Sequence, residues 1–490
     1  MHRRSRPLSL WLAALVSVAC VETRAADRQS LASQPLAVGQ RQLFLDDFIL
    51  GDVYRVKRVI HQPVKYKDNP VIRPDRPTDG RTIELRTAPS WDEREGVWKL
   101  WYFGTDDGQE GSGGSGYARS MDGVHWEKPN LGLVESHGNR NNNIVLVNGE
   151  PKAFTQHVFL DSSAPPESRY KAIIGPHDRR PAISSDGLVF TPLDVPMIPS
   201  QDESHIFFDD LQKQYVLTGK HNGPFGRSVF LSLSKDYREW SDPVLIYYAD
   251  FFDQQLGEKY IREVEANPRM WRPPVDKPKE YNTEICNMPV FLYEGLYIGL
   301  PTYFESSGRI PMPRGNQDGT NSVKLACSRD LRAWTRVGDR SHFIPLSEMS
   351  EGVLDTGQIL AGSRPIRMGD ELWFYYAGVD VRYRANMPTV GEEFRGGIHL
   401  AKLRLDGFVS MHGGDEEGFV DTRPVRFDAS RLFINATARG RIRAEVAERT
   451  GRTTLPGWGL DDWVEVKGDH LEAELRWKNR DLRELKGQNV

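Results

Sequence analysis

Ser120-Met121-Asp122-Gly123-Val124-His125-Trp126 carries the pattern S-x-D-G-x-x-W, and the pattern returns along the chain. Ser185-Asp186-Gly187 repeats its centre, with Phe190 beyond. Residues 234–240 (SKDYREW) and 328–334 (SRDLRAW) repeat it with the aromatic in place, and Leu405-Asp406-Gly407-Phe408 is a degenerate fifth copy. Each copy follows an alternating segment: GYARS, RPAIS, VFLSLS, VKLACS, IHLAKL. A polar pair between two alternating runs is hairpin chemistry, and the large aromatic packs the return strand.

A second hairpin precedes each copy. The predicted pairs are residues 87–91 with 97–104, 157–161 with 169–175, 206–209 with 214–219, 288–293 with 296–302, and 359–367 with 371–378. Each unit is then four antiparallel strands, and radially repeated four-stranded sheets define a propeller. The spacing of the copies is unequal, which argues against a solenoid; a β-sandwich is the other alternative. The fold class predicted is all-β: a five-bladed β-propeller with a small C-terminal β-sandwich-like module.

The predicted division is a signal peptide at 1–25, a lead-in segment at 26–79, the propeller at 80–415 and the C-terminal module at 416–490. In the leader, Arg3, Arg4 and Arg6 precede the apolar run 8–21, and Thr23-Arg24-Ala25 offers a cleavage site. A membrane anchor is one alternative, and a lipoprotein anchored through Cys20 is another. The expected location is secreted or periplasmic, with no membrane span after signal removal. Loss of residues 1–25 removes four Arg and one Glu, taking the formal charge from −4 to about −7. That balance, without a basic run, argues against a nucleic-acid partner. Only Cys286 and Cys327 would remain, and two cysteines make no disulfide framework; they lie toward opposite ends of non-neighbouring strands, so they are expected to be unbonded.

Two stretches depart from the repeat. Residues 253–266 (DQQLGEKYIREVEA) place Leu256, Tyr260, Ile261 and Val264 on one helical face, followed by Pro268, Pro273, Pro274 and Pro278. This is a long insertion, functional or merely packed. Residues 432–438, 441–448, 463–467 and 470–477 read as short strands of the last module, and 487–490 reads as the start of a strand without its continuation, so the module reads as truncated.

The repeat also locates candidate chemistry. Residues just before each innermost strand converge on one mouth of the central channel. They are Glu84, then Gln156 and His157, then Asp202, Glu203 and His205, then Glu284, then Asp355. Convergent carboxylates are what glycoside hydrolysis needs, one as acid and another as nucleophile or base. Asp202, Glu284 and Glu84 are the catalytic candidates. His157, His205, Asp355, Arg86 and Trp271 are the substrate-binding candidates, with Trp271 and Tyr260 of the insertion as sugar platforms. Any of these acids could instead be a turn residue or be paired with Arg81, Arg86 or Arg364. No cofactor is required; the channel carboxylates could hold a structural calcium ion.

GYARSMDGVHWEKPNLGLVE, NMPVFLYEGLYIGLP, LACSRDLRAWTRVGDR and GDELWFYYAG, with QLFLDDFIL and LAKLRLDGFVS, resemble bacterial proteins similar to family 32 and family 43 glycoside hydrolases. The resemblance spans residues 40–480 and implies the five-bladed propeller. It also implies an Asp base or nucleophile, an Asp stabiliser and a Glu acid near the channel. Asp202 stands where the group has an aspartate before the third blade, and Glu284 where it has an acid before N-M-P. The family 32 signatures W-x-N-D-P-N-G, R-D-P and E-C are absent, and the second blade opens on Thr155-Gln156-His157 without a carboxylate. An exported glycosidase acting on a polysaccharide or oligosaccharide is therefore expected. The alternative is a non-catalytic carbohydrate-binding propeller.

Overall fold

The serine and aspartate of the first four repeats build one and the same turn, and the fifth copy has no serine. Ser120 Oγ accepts from the backbone N–H of Asp122 (3.2 Å) and Gly123 (2.9 Å), and Asp122 Oδ1 accepts from Val124 and His125 (2.8 Å each). Ser234 and Asp236 do the same, and Asp330 accepts from Arg332 and Ala333. In the second copy the serine is Ser184, one place before the Ser185 picked out by pattern. The third turn residue is left-handed in every copy: Gly123 (φ 77°), Gly187 (79°), Tyr237 (66°), Leu331 (66°) and Asp406 (62°). Glycine adopts this conformation freely; Tyr237 and Leu331 hold it while almost wholly buried, so packing offsets the strain.

The computed structural model describes residues 38–106, 109–151, 153–312, 316–382, 396–449 and 451–490. The predicted signal peptide and Cys20 lie outside them. Residues Ile60–Val409 form one compact unit, and Ser410–Val490 with the residues before 60 form another.

In the larger unit the chain is all-β apart from short helices and makes a propeller-like arrangement of sheets. Ser204–Asp209, Gln214–Gly223, Gly226–Ser234 and Val244–Tyr247 pair in strict sequence order, as one blade should. Thr155–Leu160, Tyr170–Ile174, Arg180–Ser184 and Val189–Pro192 do likewise, with Leu146–Val147 added in parallel at the edge. Four blades are distinct. The predicted fourth and fifth repeats do not separate: they share an eight-stranded sheet, joined by the parallel pairing of Asn321 with Gln358. Irregular register breaks the fourth repeat's strands into shorter pieces, such as Asn282–Asn287 and Val290–Tyr293. Val64–Lys65, from the lead-in segment, pairs with Ala401 and Lys402 at the edge of the last sheet.

Apolar packing lies between consecutive repeats. Trp101 and Tyr117 pack on Val158, Tyr170 and Phe190; Ile173 packs on Ile206 and Leu217; Val229 and Tyr247 pack on Ile285 and Tyr297. The last repeat returns to the first, where Leu360, Trp373, Tyr375 and Leu400 meet Ile83, Leu85 and Leu100. Burial of these faces drives the assembly. A polar lock repeats along the same seams. Tyr170 Oη donates to Asp92 (2.5 Å), Tyr215 Oη to Asp161 (2.6 Å) and Tyr297 Oη to Asp209 (2.6 Å), each joining one repeat to the one before it. Tyr375 Oη donates to the Gly123 carbonyl (2.5 Å) and joins the last repeat to the first.

The insertion is helical over Phe251–Ala266, two residues longer at its start than its apolar face predicts, because Asp250 caps it by accepting from Asp253 N–H at 2.9 Å. Ile261 and Val264 are buried beneath it. Cys286 and Cys327 are buried thiols without a disulfide.

In the smaller unit Leu50–Tyr54 pairs with Phe419–Thr422, and Phe433–Ile442 with Val466–Glu474. Trp458, Trp463, Trp477, Leu475 and Leu485 form its core. Trp463 and Trp477 meet only in an isolated bridge; a single strand, Val466–Glu474, takes in the end of the predicted strand at 463–467 and the start of that at 470–477, and the predicted strand at 441–448 is extended only to Ile442. Gln488–Asn489 pairs with Arg426–Phe427, so the closing residues do find a strand partner.

Candidate functional site

Glu84 and Glu284 lie within innermost strands rather than before them, in Ile83–Glu84 and Asn282–Asn287. Asp202 and Glu203 immediately precede Ser204–Asp209. Gln156 is the extra residue of a bulge, since Ile173 faces His157 while Ile174 faces Thr155. A bulge re-aims the side chain it frees, and the Gln156 amide donates to Glu203 Oε2 at 2.9 Å.

Arg86 is the centre of the cluster. Its guanidinium holds Glu203 through two nitrogens, Nη2 to Oε1 at 2.6 Å and Nε to Oε2, and reaches Glu84 Oε2 at 3.0 Å. It also lies over the Phe103 ring, 5.0 Å from the centroid. One cation thus serves a buried carboxylate and a partly buried one, and the two are biased in opposite directions. Burial raises the Glu84 pKa; Arg86 opposes this, but the charges of Glu203 and Asp202 add to the rise. Burial also pushes Glu203 upward, but the charge and hydrogen bonds of Arg86, with help from Lys220, hold it well below the usual carboxylate range. Splitting of this kind separates a proton donor from a fixed anion.

The other members surround this pair. Lys220 pairs with Asp202, whose side chain is half exposed. Arg179 Nε donates to Ser204 Oγ at 3.0 Å, and burial lowers its pKa to about 10. The rings of His157 and His205 meet edge to face at 5.7 Å. His157 Nδ1 accepts from the Ile206 N–H at 3.0 Å, which fixes its tautomer. Burial, reinforced by Arg86, depresses His205 to about 3, and burial with His205 depresses His157 far below the ordinary value. Both imidazoles are neutral at physiological pH. They are uncharged polar groups, not cations offsetting Asp202.

Glu284, a catalytic candidate by position, is a closely paired carboxylate. Its carboxylate accepts from Arg227 Nε (2.5 Å), Arg227 N–H (3.3 Å), Asn282 Nδ2 (2.8 Å) and Gln317 Nε2 (3.1 Å). Burial would raise its pKa, but the charge and hydrogen bonds of Arg227 and the amide of Gln317 outweigh burial and lower it. Glu284 is an anion that orients its neighbours. Its strand still borders the Glu84 group, because the Cys286 thiol feels Lys220, Arg227, Glu203 and Asp202.

Asp355 belongs to a separate group. It pairs with Lys65 at 2.7 Å and accepts from Tyr376 Oη at 2.8 Å; Lys65 also donates to Pro345 O and Ser347 Oγ. Burial pushes Asp355 up, but Lys65 and the hydrogen bonds hold it below the usual range. Trp271 is half-buried, and its indole N–H donates to Thr356 Oγ1 at 3.0 Å, so it ties the insertion down. Tyr260 is spent in an edge contact with His342 at 4.5 Å. Neither ring is an open platform.

Sequence reasoning did not single out Lys220, Arg227, Gln317 or Arg179. Lys220 carried a signal, as a charge ending the apolar run QYVLTG; the others did not. Among the described residues no three His, Cys, Asp or Glu side chains are grouped to hold a metal. The channel carboxylates are paired with Arg86, Lys220, Arg227 and Lys65. No helix among the described residues is long and apolar enough to cross a membrane.

No protein-family model matches the chain, and no curated protein matches it. Among solved structures it is similar to an N-acetylgalactosamine deacetylase from F. plautii, at 15% identity over 71% of this chain and 96% of that one, TM-score 0.40. It is similar to a glycosyl hydrolase from Bacteroides ovatus, at 13% identity over 74% of this chain and 97% of that one, TM-score 0.41. A fructofuranosidase from Schwanniomyces occidentalis matches at 12% identity over 79% of this chain and 70% of that one, TM-score 0.37.

Proposed function

We propose that this chain is an exported glycoside hydrolase of five propeller blades, acting on a polysaccharide or oligosaccharide. The single Asn321–Gln358 pairing that fuses the fourth and fifth repeats leaves each repeat with its own left-handed turn, which supports a count of five. The leader at 1–25 supports export to the periplasm or beyond, with anchoring through Cys20 as the alternative.

The observation that carries the catalytic reading is the split between Glu84 and Glu203 on Arg86. Glu84, raised by burial and by two neighbouring carboxylates, is the acid that would protonate the departing glycosidic oxygen. Asp202, half exposed at the same cluster, supplies the second carboxylate as nucleophile or as base for water. The C–O bond breaks as the Glu84 proton moves to the leaving oxygen, and the oxygen of water ends on the anomeric carbon. Neutral His157 and His205 suit contacts to sugar hydroxyls, and Glu203 keeps Glu84 protonated.

One observation favours the non-catalytic reading: every candidate acid is paired with a Lys or Arg. Reducing-sugar release over a polysaccharide panel separates the two. Glu84→Gln should lower turnover about 10²-fold or more with folding retained. Retention of a glycan without any release by the native chain would leave the binding reading in place.

A further inference from the structure

We propose that Phe225 and Tyr248 form a second carbohydrate subsite, which packs a neutral pyranose ring beside Glu284. The proposal rests on the carbohydrate reading above and extends it beyond the Glu84 cluster.

Phe225 stands at the tip of the hairpin that joins Gln214–Gly223 to Gly226–Ser234, and Tyr248 directly follows Val244–Tyr247. Hairpin tips ordinarily carry polar residues, yet here the rings are 39% and 36% exposed. They are nearly parallel, 20° between planes with centroids 6.5 Å apart, so they present one orientation to solvent. Phe251 and Phe252, at the start of the insertion helix, are more exposed still. An apolar patch of this kind on a folded surface marks a contact site.

The backbone that carries the rings is held in place. Gly226 is left-handed (φ 101°), and a Cβ there would meet the Glu284 carboxyl carbon at 2.7 Å, so only glycine lets the hairpin settle against that carboxylate. The Phe225 carbonyl accepts from Asn282 Nδ2 at 3.2 Å, the same amide that donates to Glu284. The Tyr248 carbonyl accepts from Arg336 Nη2 at 2.6 Å, and Arg336 is bound in turn to Asp253. A held backbone loses little freedom on binding.

The border of the patch decides its occupant. Directly beside Phe225 lie the amides of Asn282 and Gln317 and the Arg227–Glu284 pair. A ligand that covers both must be apolar on one face and hydroxyl-rich at its edge, which describes a pyranose. The Glu284 charge is already offset by Arg227, so a neutral sugar fits better than an anionic one. A lipid surface would bury the polar border without replacing its hydrogen bonds with water.

Affinity electrophoresis tests this with galactomannan, xyloglucan and pullulan as neutral pyranose probes, alginate as the anionic probe, and sedimentation with phosphatidylcholine vesicles. The native chain should be retarded by at least one neutral glycan. Phe225→Ala with Tyr248→Ala should weaken that retention about tenfold, while Tyr248→Phe should keep it and all variants should share one far-UV spectrum. Equal retention of the double variant would overturn the proposal, as would retention by alginate alone, vesicle binding that the double variant loses, or no retention by any neutral glycan. Loss of hydrolysis as a property of the native chain, with ring-dependent retention intact, would sink only the hydrolase reading. Hydrolysis with an unchanged KM and unchanged retention in the double variant would sink only the subsite.

Discussion

Replacing Arg86 by Met tests whether one buried cation organises the candidate site. Arg86 is 2% exposed and Glu203 is 7% exposed. The substitution keeps most of the aliphatic volume but removes both nitrogens that grip Glu203. Glu203 would keep the Gln156 amide at 2.9 Å as its hydrogen-bond donor. Breaking a buried pair from one side costs about 3–5 kcal/mol, because the remaining charge stays desolvated. The pH dependence carries the sharper information. In the native chain the folded pKa of Glu203 lies below its unfolded value. Its stabilisation is therefore complete above about 4.3 and fades as pH falls below that. In Arg86→Met, burial without a cation raises the pKa, so the variant is penalised most at neutral pH and least in acid. Urea unfolding at pH 7.5 should show the full loss, and at pH 4.0 clearly less. Arg86→Met with Glu203→Gln should recover much of the loss at pH 7.5. An equal loss at both pH values, or a double variant no more stable than the single one, would refute the electrostatic account and leave only a packing defect.

Three further outcomes follow from the architecture. Tyr297→Phe removes the donor to buried Asp209 between two repeats and should cost about 1.5–3 kcal/mol in urea unfolding, with strong non-additivity when combined with Asp209→Asn. Gly187→Ala places a Cβ 2.7 Å from the Trp101 ring at a left-handed position and should cost about 2–4 kcal/mol from conformation and overpacking together. In the chain lacking residues 1–25, both thiols are buried, so a thiol reagent should label none in native buffer and two in denaturant; native labelling would contradict the packing.

The repeat made the architecture legible because its turn is encoded locally. Ser and Asp cap the backbone within three residues, and the left-handed position is glycine in two copies. The insertion helix was legible for a similar reason, since Ile261 and Val264 lie on one face. The merging of the fourth and fifth repeats into one sheet was not, because it turns on a parallel pairing of Asn321 with Gln358 across intervening chain. Nor were the exact strand starts: Glu84 and Glu284 look like residues before a strand, but Gly104 and Phe103, and Phe304, give their strands partners.

Charge pairing explains why the site itself was only half legible. Alignment of the repeats selected Glu84, Asp202 and Glu284 by position, and position does bring Glu84, Asp202 and Glu203 together. What each carboxyl does depends on the cation it meets, and those cations come from far along the chain: Arg86 meets Glu203 across 117 residues, and Arg227 meets Glu284 across 57. Burial taken alone would raise the Glu284 pKa. Four hydrogen bonds from three residues reverse that inference. Glu84 takes the raised pKa instead, because it shares its only guanidinium with a second carboxylate that binds it in two places. A burial argument alone predicts the same direction for every buried acid; the cations and hydrogen bonds each carboxylate meets separate the one biased toward protonation from the anions around it.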